Sequence, residues 1–363
     1  MNGLRRFWLR ITDGMALGQL WSQFHTDART SYRLYSQEIE TRRMPGVGRV
    51  RHVFRMVKLF MWAIVDKLSP TRRVLLLIAL ILFFPSMHLT GFTGSGIFWG
   101  CIVLLVVLVL EIADRVVMKR DLQIAKEIQA WLLPPSPPQV EGLEIAFATR
   151  PANTVAGDYY DVFPRPATHS PAGTYLIAIA DVAGKSIPAA MLMATYQASL
   201  KTLAGISGTL IDLAGRMNNY ACGNSQNGRR FTTTFIAEYD PAKRELVYVN
   251  AGHNPPILRR QTGAIERLSA GGIPLGILEN APYESGSTTL QSGDWLAIYT
   301  DGVTEAENLR QEEYGEARFM VLLYANQKAT PQVLMNTILA DIERFVGNTP
   351  QHDDITLMLL RAV

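Results

Sequence analysis

The chain reads as an α+β protein built in layers, preceded by a two-helix transmembrane hairpin and a linker helix. Three observations predict this. Residues 74–110 contain no Asp, Glu, Lys or Arg. Runs of β-type residues dominate from residue 143 onward, and helical stretches interrupt those runs in pairs rather than one per strand. Strand groups with segregated helix pairs argue for α+β layers over a doubly wound βαβ sheet.

A chain of 363 residues has room for two or so domains. Residues 1–73 form a basic segment, with Arg5, Arg6, Arg10, Arg29, Arg33, Arg42, Arg43, Arg49, Arg51, Arg55, Lys58, Lys67, Arg72 and Arg73 offset by few acids. Nucleic acid is one reading of such an arm. The apolar run behind it favours a membrane surface, so no nucleic-acid partner is expected. Val50–Leu68 mixes Val53, Phe54, Val57, Phe60, Met61 and Ile64 with basic residues. It reads either as a basic amphipathic helix on the membrane interface or as an ordinary cytosolic helix. The segment shows no metal cluster, Gly-rich loop or sensor pattern, and its function stays open.

Within residues 74–110, two apolar blocks, Val74–Phe84 and Ile97–Leu110, flank the turn-like Pro85–Gly96. A spanning helix needs about 20 residues, with about 17 as a lower limit, so the run fits two short spans. Arg72 and Arg73 precede the pair, Arg115, Lys119 and Arg120 follow it, and the turn has no basic residue. The positive-inside rule then puts the N-terminal segment and everything after the pair in the cytoplasm. A buried soluble hairpin or a re-entrant pair is the other reading. A cleaved signal peptide does not fit an internal run of this length. The two cysteines, Cys101 and Cys222, lack metal or redox spacing, which suits a reducing compartment.

Glu111–Leu133 reads as one continuous helix, ended by Pro134-Pro-Ser-Pro-Pro138, since consecutive prolines forbid its continuation. Residues 111–140 are therefore a linker helix and stiff joint, and residues 141–363 the soluble domain. Strands are predicted at Leu143–Thr149, Tyr159–Pro164, Thr174–Asp181, Thr232–Tyr239, Glu245–Asn250, Pro256–Arg260, Ile265–Leu268, Trp295–Thr300 and Ile355–Leu360. Asp240-Pro-Ala-Lys243 supplies hairpin chemistry. Helices are predicted at Pro188–Ala204, Thr209–Cys222, Glu316–Asn326 and Pro331–Val346.

Four aspartates carry the chemistry: Asp158 in Val-Ala-Gly-Asp-Tyr-Tyr-Asp, Asp181 in Ala-Asp-Val-Ala-Gly-Lys, Asp301 in Tyr-Thr-Asp-Gly-Val-Thr-Glu, and Asp353 in His-Asp-Asp-Ile-Thr. Asp181 and Asp301 end apolar strands, so pairing of those strands would bring the carboxylates together. Two like charges about 4 Å apart repel by about 4 kcal/mol at an effective dielectric near 20. Such a cluster requires cations, and all-oxygen ligation points to Mg²⁺, Mn²⁺ or Ca²⁺ rather than zinc. Each motif alone also reads as a turn or cap, as Gly293-Asp294 does. Their joint order is what singles them out.

Residues from about 125 to 363 resemble the stage II sporulation protein E type of serine/threonine phosphatase, the bacterial sigma-factor-regulator branch of the metal-dependent protein phosphatase 2C superfamily. The segments that carry the resemblance are Glu127–Pro135, Arg150–Asp161, Asp181–Met193, Tyr248–Pro256, Gly272–Gly276, Tyr299–Glu305 and His352–Thr356. The resemblance implies a four-layer α-β-β-α sandwich with a two-metal site at one end, loaded with two divalent cations, Mn²⁺ or Mg²⁺. Asp158 and Asp181 would be the central ligands, helped by the Val182 backbone carbonyl, with Asp301 and Asp353 completing the site. Asp354, Gly184 and Asp161 would stand around the ligands, Asp161 either orienting Asp158 or a metal-bound water, or lying on the surface. His253 is a candidate general acid or a turn residue.

The implied reaction is hydrolysis of phosphoserine or phosphothreonine on a protein by a water activated between two ions about 3.5–4 Å apart, with no covalent intermediate. The implied partners are a phosphorylated protein of the anti-sigma-factor antagonist type, the lipid membrane, and a second copy of the chain through the linker helix. The implied location is the bacterial plasma membrane, crossed more than once. Two departures from the family pattern are Ala156, where a glycine is usual, and Ser186, the last position of Asp-x-x-Gly-Lys-Gly. A serine forced to positive φ costs about 1 kcal/mol. A silent membrane-tethered docking module is the alternative function. A two-metal polymerase or cyclase would need nucleotide-binding features, and the sequence shows none.

Overall fold

In the computed structural model the β-type runs of residues 143–362 pair into two sheets. The structure describes residues 65, 68–86, 95–165, 173–206, 208–224, 230–325 and 329–363. The expected interfacial or cytosolic helix at Val50–Leu68 falls almost wholly outside the described residues, as does most of the turn between the apolar blocks. The chain divides into two compact units with the boundary after Val116.

The first unit contains α1 (Pro70–Ser86) and the start of α2 (Ser95–Leu132). Leu77, Ile81, Leu105 and Leu108 are among their large exposed apolar side chains. Arg72 pairs with Glu111 at 3.0 Å and Asp114 at 2.5 Å. Among the described residues one helix is long and apolar enough to cross a membrane, Ile97–Leu132. At 17 residues, α1 is about 25 Å long at 1.5 Å per residue, short of the roughly 30 Å hydrocarbon core. The second apolar block and the expected linker helix are one element. No proline interrupts residues 95–132, so the helix continues through the expected boundary at residue 110 until the prolines after Leu133.

In the second unit, β1 (Leu143–Arg150) opens a five-stranded sheet in the order β1-β11-β10-β6-β7, with β6 (Ile257–Arg259), β7 (Ile265–Arg267), β10 (Trp295–Tyr299) and β11 (Ile355–Ala362). The six-stranded sheet runs β2 (Tyr159–Arg165), β3 (Thr174–Val182), β4 (Thr232–Asp240), β5 (Glu245–Ala251) and β8 (Gly271–Gly272), and β9 (Gly286–Thr289) also pairs with β5. Only β5–β8 is parallel. β8 and β9 escape the sequence pattern because they are short and nearly free of apolar residues. Gly271 is required in β8, where a Cβ would stand 1.8 Å from the Asn250 carbonyl oxygen.

The helices are α3 (Ser186–Ala204), α4 (Leu210–Asn224), α5 (Asp301–Thr304), α6 (Gly315–Ala325) and α7 (Pro331–Val346). One apolar core joins residues of both sheets, including Ile177, Ile179, Phe235, Leu296, Ile298, Met358 and Leu360. A second joins the six-stranded sheet to α3 and α4 through Leu176, Met193, Leu200 and Leu213. A third joins the five-stranded sheet to α6 and α7 through Trp295, Leu357, Phe319, Leu334 and Ile338. The inner strands are thus buried on both faces, which is why β3 and β11 are continuous apolar runs rather than alternating ones. Thr330 caps α7 by accepting from the Val333 N–H at 3.4 Å, and Pro331 occupies the first turn, where its missing N–H costs nothing.

Candidate metal centre

Antiparallel pairing places the start of β2 beside the end of β3, and the end of β10 beside the start of β11. Asp158 precedes β2, Asp181 lies at the end of β3, Asp301 follows β10 as the first residue of α5, and Asp353 precedes β11. The two sheet ends are stitched together. Thr300 Oγ1 donates to Asp158 Oδ2 at 2.9 Å and accepts from the Thr356 N–H at 3.0 Å. The Gly157 N–H donates to Asp354 Oδ2 at 2.6 Å. A Cβ on Gly157 would stand 3.3 Å from the Val182 carbonyl oxygen, so this glycine lets the Asp158 loop close onto the end of β3.

The electrostatics agree with this placement. Burial, and then the Asp181 charge, hold the Asp158 carboxyl well above the usual carboxylate range. Burial, followed by the charges of Asp301, Asp353 and Asp354, pushes Asp181 up to about 7. Asp301 is raised by burial and by Asp353, against the lowering pull of the Gly302 N–H and Lys185. Lys185 is the nearby counter-charge, with Nζ 3.3 Å from Asp353 Oδ2 and donating to the His352 carbonyl at 2.6 Å.

The surrounding residues sort differently from expectation. Asp354 has both oxygens committed, accepting from the Ala152 N–H at 2.7 Å as well as from Gly157, so it anchors the Asp158 loop. Asp161 neither orients Asp158 nor lies on the surface. It is buried, accepts from the Tyr159 hydroxyl at 2.9 Å and pairs with Lys201 at 2.6 Å, because strand alternation turns it toward α3. Gly184 adopts φ +120°, and Ser186 adopts φ +62° where the family pattern has glycine. His253 is buried, with Nδ1 3.1 Å from Thr233 Oγ1, and burial lowers its pKa to about 4. A neutral imidazole keeps one ring N–H but lacks the imidazolium proton that a general acid would give up at neutral pH.

The sequence reading overlooked Thr300, Lys185 and Gln129. The first two lie inside the motif blocks beside the aspartates, and Gln129 lies in Glu127–Pro135. The donor set is carboxylate oxygen, which fits hard divalent cations. Among the described residues no three acidic, His or Cys side chains already stand close enough to enclose one ion. A cleft of about 370 Å³ opens beside Asp353, lined in part by Arg150, Lys185, Gly302, Glu305 and His352.

The family model for stage II sporulation protein E matches residues 171–363. The chain is 30% identical over 278 residues to Protein IcfG of Synechocystis sp., covering 68% of this chain and 42% of that protein. It is 30% identical over 247 residues to the phosphoserine phosphatase RsbU of Bacillus subtilis, covering 67% of this chain and 70% of RsbU. Among solved structures, the SiaA-PP2C domain of Pseudomonas aeruginosa superposes with a TM-score of 0.59 at 20% identity, over 69% of this chain and 99% of that one. The PP2C phosphatase domain of SpoIIE from Bacillus subtilis gives a TM-score of 0.52 at 17% identity, over 62% and 64% of the two chains. At such identities these structures speak to the fold, a mixed α+β fold of the PP2C type.

Proposed function

Because the chain belongs to the stage II sporulation protein E family, we propose that it is a membrane-anchored, metal-dependent phosphatase acting on phosphoserine or phosphothreonine of a signalling protein. The observation that carries this reading is the gathering of Asp158, Asp181, Asp301 and Asp353 at one end of both sheets, with Asp158, Asp181 and Asp301 raised by burial and by their acidic neighbours. A silent docking module would have no reason to keep so costly a cluster of like charges around the buried Asp158.

Asp158, Asp181 and the Val182 carbonyl would hold the cations centrally, with Asp301 and Asp353 completing the site. When bound, two such ions supply Lewis-acid charge to the phosphoryl oxygens and activate water for in-line attack. Thr300 fixes the rotamer of Asp158 through its hydroxyl. Lys185 places a positive charge at the rim, and the cleft beside Asp353 gives a substrate loop its approach. The favoured substrate is a phosphorylated anti-sigma-factor antagonist.

Further parts of the reading rest on their own observations. The three apolar cores support the four-layer α-β-β-α order. The exposed apolar length of α2 supports a membrane anchor in the bacterial plasma membrane, with the catalytic domain in the cytoplasm, and the Arg72 pairs to Glu111 and Asp114 would make the shorter α1 the second arm of a hairpin. Ile124, Ile128 and Trp131, the last 82% exposed, form an uncovered stripe on α2 and support a homodimer.

The direct test is release of p-nitrophenol from p-nitrophenyl phosphate by the full chain with Mn²⁺. Asp181→Asn and Asp301→Asn should each lower turnover by about 10²–10³-fold, the scale for losing one charge-stabilising group. Metal-independent activity, or activity untouched by both substitutions, would sink the proposal.

A further inference from the structure

Past Val116, α2 is largely a solvated helix, and among its described residues there Gln129 is the only buried polar side chain, at 7% exposure. Its amide forms a two-point match with the backbone N–H and C=O of one residue. Gln129 Oε1 accepts from the Ala156 N–H at 2.9 Å, and Nε2 donates to the Ala156 carbonyl at 2.7 Å. Ala156 lies two residues before Asp158. Val155, Ala156 and Gly157 are all buried, and none belongs to a strand or helix. Two side chains hold this loop instead: Gln129 at Ala156, and Asp354 at Ala152 and Gly157.

Glutamine presents a donor and an acceptor side by side, as the N–H and C=O of one residue require, whereas a carboxylate offers acceptors only and an aliphatic side chain neither. Loss of the match would leave a buried N–H and C=O unpaired, which the loop could relieve only by moving. Asp158 would move with it. We propose that Gln129 is a positioning residue for the metal centre, tying α2 to the loop that delivers Asp158, so that displacing the helix and misplacing this carboxylate are one event. The inference rests on the metal-site reading above. It names a connection from α2 to the first aspartate that bypasses α3 and α4. Because coupling is reciprocal, cation binding at Asp158 must in turn hold the end of α2 more firmly.

The test uses the full chain in detergent micelles, with Mn²⁺ binding followed by the paramagnetic resonance of free Mn²⁺ and backbone hydrogen exchange measured with and without the ion. Gln129→Leu should raise the half-saturating Mn²⁺ concentration about ten- to a hundredfold, the range for residues that orient metal ligands. Turnover of p-nitrophenyl phosphate at saturating Mn²⁺ should largely recover. Gln123→Leu, on the same helix but bonded only to Glu127, should leave the Mn²⁺ constant unchanged. Leu133→Ala, which removes a side chain packed against both cores of the six-stranded sheet, should lower thermal stability without moving that constant.

In the wild type, Mn²⁺ should slow exchange in residues 122–132 as well as in residues 151–158. In Gln129→Leu the helix should no longer respond. The wild-type exchange arm stands even if the leucine variant does not fold. Helix exchange indifferent to Mn²⁺ in the wild type, or an unchanged Mn²⁺ constant in Gln129→Leu, overturns the inference while leaving the phosphatase reading intact. A wild-type chain that binds no Mn²⁺ and shows no metal-dependent turnover overturns both.

Discussion

Replacing Asp181 by asparagine should lower turnover by about 10²–10³-fold and at the same time strengthen the metal-free fold. The Asp181 carboxyl is pushed from 3.8 to about 7 by burial and by the charges of Asp301, Asp353 and Asp354. A carboxyl raised in the folded state binds its proton more tightly there than in the unfolded chain. Below about pH 4 both states are protonated and the group costs nothing. As pH climbs toward 7, stability is progressively lost, and above 7 the full penalty applies. At about 1.36 kcal/mol per pH unit, that penalty approaches 4 kcal/mol. Asparagine never ionises, and its removal of charge also relieves Asp158, though its amide must still find partners. A net gain of about 2–4 kcal/mol, or roughly 5–15 °C for a unit of this size, is expected at pH 8 in EDTA. The gain should shrink steeply toward pH 4. Excess Mn²⁺ should reverse the order, because the wild type gains binding energy that the variant cannot match. Intrinsic-fluorescence thermal scans of the full chain in detergent, at both pH values and with either EDTA or Mn²⁺, read all of these terms. A variant no more stable than wild type in EDTA at pH 8, or a difference that ignores pH, would refute the argument.

Ser186→Gly should stabilise the chain by up to about 1 kcal/mol, since Ser186 sits at φ +62° where a side chain is strained; a chemical denaturation midpoint that does not rise counts against it. Asp354→Asn replaces one of two accepting oxygens with a donor facing a backbone N–H, which should cost about 1–3 kcal/mol. It should raise the Mn²⁺ requirement while sparing turnover at saturation, unlike Asp353→Asn, and a metal titration of activity separates the two. Leu105→Lys with Leu108→Lys places charge in the exposed apolar part of α2, at about 2.5–3.5 kcal/mol each in a membrane centre. The chain should then shift from the carbonate-resistant membrane pellet to the supernatant. Ile128→Glu breaks the uncovered stripe on α2 and should convert a dimer into a monomer by light scattering in detergent.

Elements with a strong local pattern were legible from the sequence. The nine predicted strands and the four longer helices, α3, α4, α6 and α7, lie within a few residues of their predicted positions, because each is bounded by proline, glycine or a polar cluster. β8 and β9 were not legible, since Gly271–Gly272 pairs only because Asn250 leaves no room for a Cβ. The first residues of α5 read as an Asp-Gly turn, and only the tertiary setting, with Gly302 pressed within 2.0 Å (at its would-be Cβ) of the Asp354 carbonyl oxygen, shows why the turn must be glycine. The four aspartates stood out by their joint order and by the family resemblance, since each motif alone also reads as a turn or cap. Asp161 misled because its two-residue spacing from Tyr159 puts it on the α3 side, a fact that depends on register.

The same contrast explains why the ligands could be named while their supports could not. A ligand advertises itself by chemistry that is out of place, a carboxylate at the end of an apolar run. A support such as Thr300 or Gln129 is ordinary in sequence and becomes informative only through its partner. Thr300 matters because its hydroxyl reaches across from one sheet end to Asp158 of the other, and Gln129 because its amide meets both backbone polar groups of Ala156 from a helix 27 positions upstream. Both supports act on Asp158, the most deeply buried of the four carboxylates, and neither acts on Asp353, which lies nearer solvent beside Lys185. The site therefore has a rigid inner side and an accessible outer one. Under the proposed reading, control through α2 would act on the inner side, where moving one loop moves Asp158, and substrate would enter on the outer side, where the cleft opens.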